Sequence, residues 1–103
     1  MSFEIAKRIV SGRKAIAAAG ASEQLVVADT ECFEVDVCAS TKNTSPVVVG
    51  ASNVHASDAA DAQLGTILLP GMNVKMHVDN VNKIWADAKV NGEVVCYTYY
   101  VHV

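Results

Sequence analysis

The stretch KIWADAKVNGEVVCYTYYVHV, residues 83–103, decides the fold. Ile84, Ala86 and Ala88 take one parity, and Trp85 and Asp87 take the other. Side chains that alternate between two faces repeat every second residue, so this spacing predicts a strand and not a helix. Asn91 and Gly92 then interrupt the run. Asn-Gly between two strand-like segments favours a type I′ hairpin, because both central residues take positive φ. The second segment is long and aromatic, with Tyr97, Tyr99 and Tyr100. Tyr97 and Tyr99 share a face and are expected to pack on the sheet with their hydroxyls at its edge.

The same period recurs upstream. Over residues 32–39, Phe33, Val35 and Val37 alternate with Glu34 and Asp36, which predicts a strand with one buried and one wet face. Val74, Met76 and Val78 alternate with Asn73, Lys75, His77 and Asp79 in the same way. Residues 47–50, VVVG, are apolar on both parities and predict burial on both sides. Shorter strands are expected at 13–18, 24–27 and 66–69. Pro70 and Gly71 mark a tight turn, since Pro presets φ and Gly accepts a positive φ. Residues 40–46 read as a polar loop. Residues 51–63, rich in Ala, Ser and Asp and without a period, read as a long surface loop.

Valine occurs 17 times and leucine 4 times in 103 residues. A branched Cβ suits the pleated sheet and crowds a helix. About eight short strands at spacings of roughly ten residues make a sandwich or barrel pattern. The expected fold is all-β: a small antiparallel β-sandwich or jelly-roll-like barrel at 13–103, preceded by an N-terminal arm at 1–12. A domain this small buries only about 60–65 % of its chain surface, which makes oligomerisation a natural source of stability.

Charge and composition exclude several classes. Hydrophobic residues make up 51 % and charged residues 18 %, which is not a disordered composition. No apolar run approaches the ~20 residues of a membrane helix. The first eight residues lack the basic-then-apolar layout of a secretory signal. The net charge is −3, with +3 on residues 1–14 (Lys7, Arg8, Arg13 and Lys14 against Glu4) and −6 on the rest. An acidic body argues against a nucleic-acid partner, which requires a basic face. The basic head is either a solvated arm or a segment that docks on an acidic neighbour.

The sequence contains no constellation for catalysis. His55, His77 and His102 stand apart from one another, and no nucleophile–base signature surrounds them. Asp58 and Asp61 lie three residues apart, too few oxygen ligands for a calcium site, and read as solvated loop acids. The six glycines fall at turns and make no phosphate loop, so no cofactor is expected. Cys32, Cys38 and Cys96 form no CxxC pair, which argues against structural zinc. If Cys32 and Cys38 share one strand, they stand roughly 20 Å apart on one face. That exceeds the ~7 Å limit for bridging Cα atoms, so they do not pair with each other. Either is free to meet Cys96 or a cysteine of another subunit. The plainer alternative is three small buried thiols in a reducing cytosol.

The order of the turn and core motifs carries a resemblance. Val49 and Gly50 precede Ser52, Asn53 and Val54; Gly65 precedes Leu68, Leu69, Pro70 and Gly71; Lys83 to Ala88 precede Asn91 and Gly92. This order resembles a group of small bacteriophage virion proteins with a β-sandwich fold, over residues 12–103, with Trp85 where their pattern has tyrosine. The resemblance implies a structural, non-enzymatic protein: a capsid decoration (cement) protein, expected as a homotrimer. It would stabilise the head by bridging major capsid protein subunits on the capsid exterior, after synthesis in the host cytoplasm. The alternative is a receptor- or carbohydrate-binding module of a tail fibre, spike or neck, with its site on loop 51–63. That loop lacks the aromatic rings that sugar sites use. On the first reading the basic segment makes the shell contact. Phe3, Ile5 and Ile9 would be its apolar anchors, and Lys7 and Arg8 its charge partners. A virion protein of this kind would hold Cys32, Cys38 and Cys96 as thiols inside the cell, with disulfides possible outside.

Overall fold

Eight strands build two four-stranded antiparallel sheets in the computed structural model, which describes residues 5–57 and 62–102. They are β1 (Arg8–Ala15), β2 (Glu23–Gln24), β3 (Glu34–Ala39), β4 (Val47–Gly50), β5 (Thr66–Leu68), β6 (Asn73–Met76), β7 (Trp85–Ala88) and β8 (Val94–Val101). The first sheet has the order β1-β8-β3-β6 and the second β2-β7-β4-β5. The expected all-β sandwich is therefore the observed architecture.

Alternation explains the core. Val35, Val37 and Ala39 of β3 and Val95 of β8 point inward from the first sheet, and none has measurable exposure. Val47 and Val49 of β4, Leu68 of β5, and Ala86 and Ala88 of β7 meet them from the second sheet. Tyr97 and Tyr99 extend this layer, stacked with ring centroids 6.4 Å apart. Ile16, Leu25, Val81 and Ile84, from the connections, close its ends.

The continuous apolar run of β4 has the predicted double burial. Val48 faces away from the main core, yet it is fully buried against Val54, Ala56 and Trp85 in a second cluster. The chain after β4 folds back over this outer face. Asp87 of β7, with no exposed surface, pins that fold. It accepts from the Gly20 and Ala56 amides, each at 2.9 Å, and its Oδ2 lies 3.6 Å from His55 Nδ1. The first part of the supposed wandering loop is thus strapped down, with a bridge between His55 and Leu64. Asp58 and Asp61 lie outside the described residues.

Buried polar groups organise the other large connection. Glu93 accepts from the Thr44 and Ser45 amides at 3.0 and 2.9 Å and from the Ser45 hydroxyl at 3.0 Å. The Asn43 side chain bonds both backbone groups of Val94, at 2.9 and 2.8 Å, as a strand would.

Three expectations change. Asn91 and Gly92 do form a turn, with Gly92 at φ 90°, but they close no hairpin. β7 belongs to the second sheet and β8 to the first, so the turn carries the chain over the core. Ile16 and Glu93 complete the crossing through the Ile16 amide on the Glu93 carbonyl at 2.8 Å. The turn at Pro70 and Gly71, closed by the Met72 amide on the Leu69 carbonyl at 2.8 Å, crosses between sheets likewise. Second, residues 8–12, expected in an arm, are five of the eight residues of β1, which pairs with β8 from Arg8↔Val101 to Ala15↔Val94. Gly12 does not end the segment. It makes room for the Tyr97 ring, whose oxygen would lie 2.6 Å from any Cβ at that position. Third, Cys32 and Cys38 do not share a face. The chain bends at Phe33, so Cys32 is buried in the core and Cys38 lies on the outer face of β3.

Candidate interaction surface

The two sheets differ on their outer sides. The second is covered over Val48 and Trp85 by the strapped segment, while Ile67 of β5 on the same side is 45 % exposed. The first presents the outward parity of four strands. Register places Ile9, Tyr100 and Glu34 in one row. Ser11, Thr98, Asp36 and Lys75 form the next, and Arg13, Cys96, Cys38 and Asn73 the third. Short polar bonds cross these rows. Ser11 and Thr98 hydroxyls meet at 2.9 Å, and the Asn73 amide donates to Asp36 at 3.0 Å. His77 Nε2 lies 3.1 Å from Glu34 Oε1.

At one end this face opens into a groove of about 490 Å³, lined by Ile5, Ala6, Ile9, Phe33, Glu34, Lys75 and Tyr100. Its apolar floor has a local cause. The bend at Phe33 turns that ring out of the core, where it stacks on His102 at 4.1 Å and tilts against Tyr100 at 6.4 Å. Ile5 and Ile9 remain 73 % and 62 % exposed. Such side chains at the open end of a sheet gain about 25 cal/mol for each Å² a partner covers.

β1 is also an edge strand. The Ile16 amide bond to Glu93 fixes the phase of its ladder with β8. In that phase Val10, Gly12 and Lys14 direct their backbone groups to β8, and Ile9, Ser11 and Arg13 direct theirs outward. An edge of this kind is a template for a further strand.

Four of the five residues named from sequence for partner contact fall here. Ile5 and Ile9 line the groove, and Lys7 and Arg8 are exposed beside it. The Lys7 amide donates to the Val101 carbonyl at 2.7 Å, which extends the ladder one residue beyond β1. Phe3 lies outside the described residues. The sequence reading missed Phe33, Tyr100 and Lys75. The parity of Tyr100, opposite to Tyr97 and Tyr99, was the available signal for one of them.

The histidines remain apart. His55 faces Asp87, His77 faces Glu34 and His102 stacks on Phe33. Among the described residues, no group of three metal-ligating side chains converges. The three cysteines are free thiols. Burial first, then Asp79, pushes the Cys32 thiol up from its usual value. Burial, then Cys96 and Asp36, does the same to Cys38.

No protein-family model matches the sequence, and no curated protein matches it. A solved structure is similar, from work titled "Bacillus endospore appendages form a novel family of disulfide-linked pili". The two chains are 15 % identical with a TM-score of 0.41, over 98 % of this chain and 97 % of that one. At that distance the likeness carries no functional argument.

Proposed function

We propose that this chain is a non-catalytic structural subunit of a virion, a capsid decoration protein that bridges major capsid protein subunits as a homotrimer on the capsid exterior. One observation carries the proposal: an exposed, basic edge strand ends in a groove where Ile5 and Ile9 stand open beside Phe33 and Tyr100. Full burial of an isoleucine contributes about 1.5–3 kcal/mol. Few such contacts per subunit suffice on a shell, because each bound subunit raises the effective concentration of its neighbours' sites. The resemblance in turn and core motifs supplies the virion context. The alternative of a glycan-binding loop draws no support from residues 51–57, where Ala56 and His55 are engaged in holding the chain against Asp87.

The test is co-expression with the major capsid protein of the same genome, followed by sedimentation of assembled heads. The wild-type chain is expected to co-sediment and to be trimeric in solution by light scattering. The Ile5→Asp, Ile9→Asp double variant is expected to stay folded and remain in the supernatant. A monomeric wild-type chain that leaves assembled heads bare would overturn the proposal.

A further inference from the structure

Cys38 and Cys96 are directly opposed in the antiparallel ladder of β3 and β8. Both lie on the outer parity, since their neighbours Val37, Ala39 and Val95 are fully buried. The Ser40 amide bonds the Val94 carbonyl at 3.0 Å, one hydrogen-bonded pair along the same ladder. Two residues on, Cys38 and Cys96 therefore form another pair of that kind, with Cα atoms about 5.5 Å apart. Disulfides bridge Cα separations of about 4.4–6.8 Å with Cβ atoms about 3.5–4.5 Å apart, so closure draws these two Cβ atoms together from the ~5.5 Å usual for a hydrogen-bonded pair. The two cysteines also line one shallow depression of about 270 Å³ with Asp36, Asn73 and Thr98, so a small reagent has access to them. Cys32 differs in place: it is buried on the core side. Its thiol donates to the Val78 carbonyl at 3.3 Å, while that of Cys38 donates to its neighbouring Ala39 carbonyl at 3.4 Å.

We propose that Cys38 and Cys96 are a cross-strand dithiol site that low-molecular-weight disulfides, of the oxidised glutathione class, convert to an intrachain disulfide while Cys32 stays reduced. One thiolate attacks a sulfur of the reagent, forms a mixed disulfide and expels one small thiolate. The second cysteine thiolate then attacks the protein-bound sulfur and expels the other. Two thiols lose two protons and two electrons, and one small disulfide becomes two small thiols. The product pins β3 to β8 at the centre of the first sheet. The proposal stands on these two residues alone and does not depend on the virion role.

The test uses the purified full chain, reduced and then equilibrated in glutathione buffers of increasing oxidised fraction. Remaining thiols are alkylated, which blocks exchange, and the chain is then cut near neutral pH with trypsin and a glutamyl endopeptidase. The second enzyme cleaves after Glu34 and so separates Cys32 from Cys38. The expected result is a monomer that has lost two hydrogen atoms, with the Cys38 and Cys96 peptides linked and Cys32 alkylated. Its melting midpoint is expected to rise by about 5 °C or more, reversibly with dithiothreitol. Cys38→Ser and Cys96→Ser are each expected to abolish closure and take up one glutathione at the remaining surface thiol. Stable glutathione adducts on both cysteines of the wild-type chain, covalent dimers, or a link through Cys32 would each overturn the proposal. The wild-type mass result decides the matter even if a serine variant folds poorly.

Discussion

Replacing Asp87 with asparagine changes one atom type and almost no volume, yet it should be among the most damaging substitutions in this chain. The two carboxylate oxygens take different donors: the Gly20 amide on Oδ1 and the Ala56 amide on Oδ2, both at 2.9 Å. An asparagine offers one oxygen. Whichever way it is flipped, its NH₂ group confronts a backbone N–H, and a donor is left without an acceptor. A hydrogen bond to a charged group contributes about 1.5–3 kcal/mol, and an unsatisfied buried donor costs about 1–3 kcal/mol. The His55 ring 3.6 Å from Oδ2 loses its anionic neighbour as well. Asp87→Asn is therefore expected to cost about 2–4 kcal/mol, read from urea denaturation with an unchanged m-value. For a domain of this size that is a fall in melting midpoint on the order of 10–20 °C. Because the strap covers Val48 and Trp85, their solvent protection should fall with it, measured by tryptophan quenching. Lys42→Gln, on an exposed loop position, should leave the midpoint in place. An Asp87→Asn chain within about 0.5 kcal/mol of wild type would refute the role given to this carboxylate.

Three further outcomes are expected. Burial alone would raise the Glu93 carboxyl, but the Ser45 and Thr44 amides and side chains outweigh it and hold the group below its ordinary 4.5. A carboxyl depressed in the folded state stabilises the fold above the unfolded value and loses that contribution as pH falls through the folded one. Urea midpoints should drop as pH goes below 4.5, and Glu93→Gln should be less stable at neutral pH with a flatter profile in that acid window. Gly12→Ala sets a Cβ 2.6 Å from the Tyr97 oxygen, so the ring must swing away, with a cost of about 1–2 kcal/mol and altered tyrosine emission. Ile9→Asp alters a side chain that is 62 % exposed, and should leave chemical denaturation within about 0.5 kcal/mol of wild type while abolishing any self-association through the groove.

Legibility followed the range of the interactions. Period-two alternation reports which face of a strand is wet, so β3 and β6 could be read directly, and so could Ala86 and Ala88 of β7, though Asp87 on the other face of β7 is buried too. The double burial of β4 was visible in Val47, Val48 and Val49 because no polar residue interrupts either parity. Sheet membership was not visible. Asn91 and Gly92 specify a reversal, but whether the next strand lies beside β7 or across the core depends on Ile16, nearly 80 residues away, and on Glu93 meeting it. β1 was misplaced for a similar reason: Gly12 looks like a breaker locally and is a fitted gap once Tyr97 is beside it. The bend at Phe33 put Cys32 in the core, on the opposite face from Cys38, which keeps the outer face that its parity with Glu34 and Asp36 implies. No turn residue marks the bend, and the ring it turns outward meets His102, at the far end of the chain. The partner surface was half legible. Ile5 and Ile9 stood out as apolar residues among charges, while Phe33 and Lys75 join them only through the register of β8 and β6.

Strand order has a consequence for synthesis. β8 lies between β1 and β3 and is made after the other seven strands. Until the ribosome has released residues 94–101, both of its future neighbours have unsatisfied edges, and the first sheet is in two pieces. The nascent chain therefore cannot lock in stages. It must acquire its cooperative fold late, after translation of β8, and a product truncated before Val94 would leave the edges of β1 and β3 that β8 covers open as seeds for aggregation.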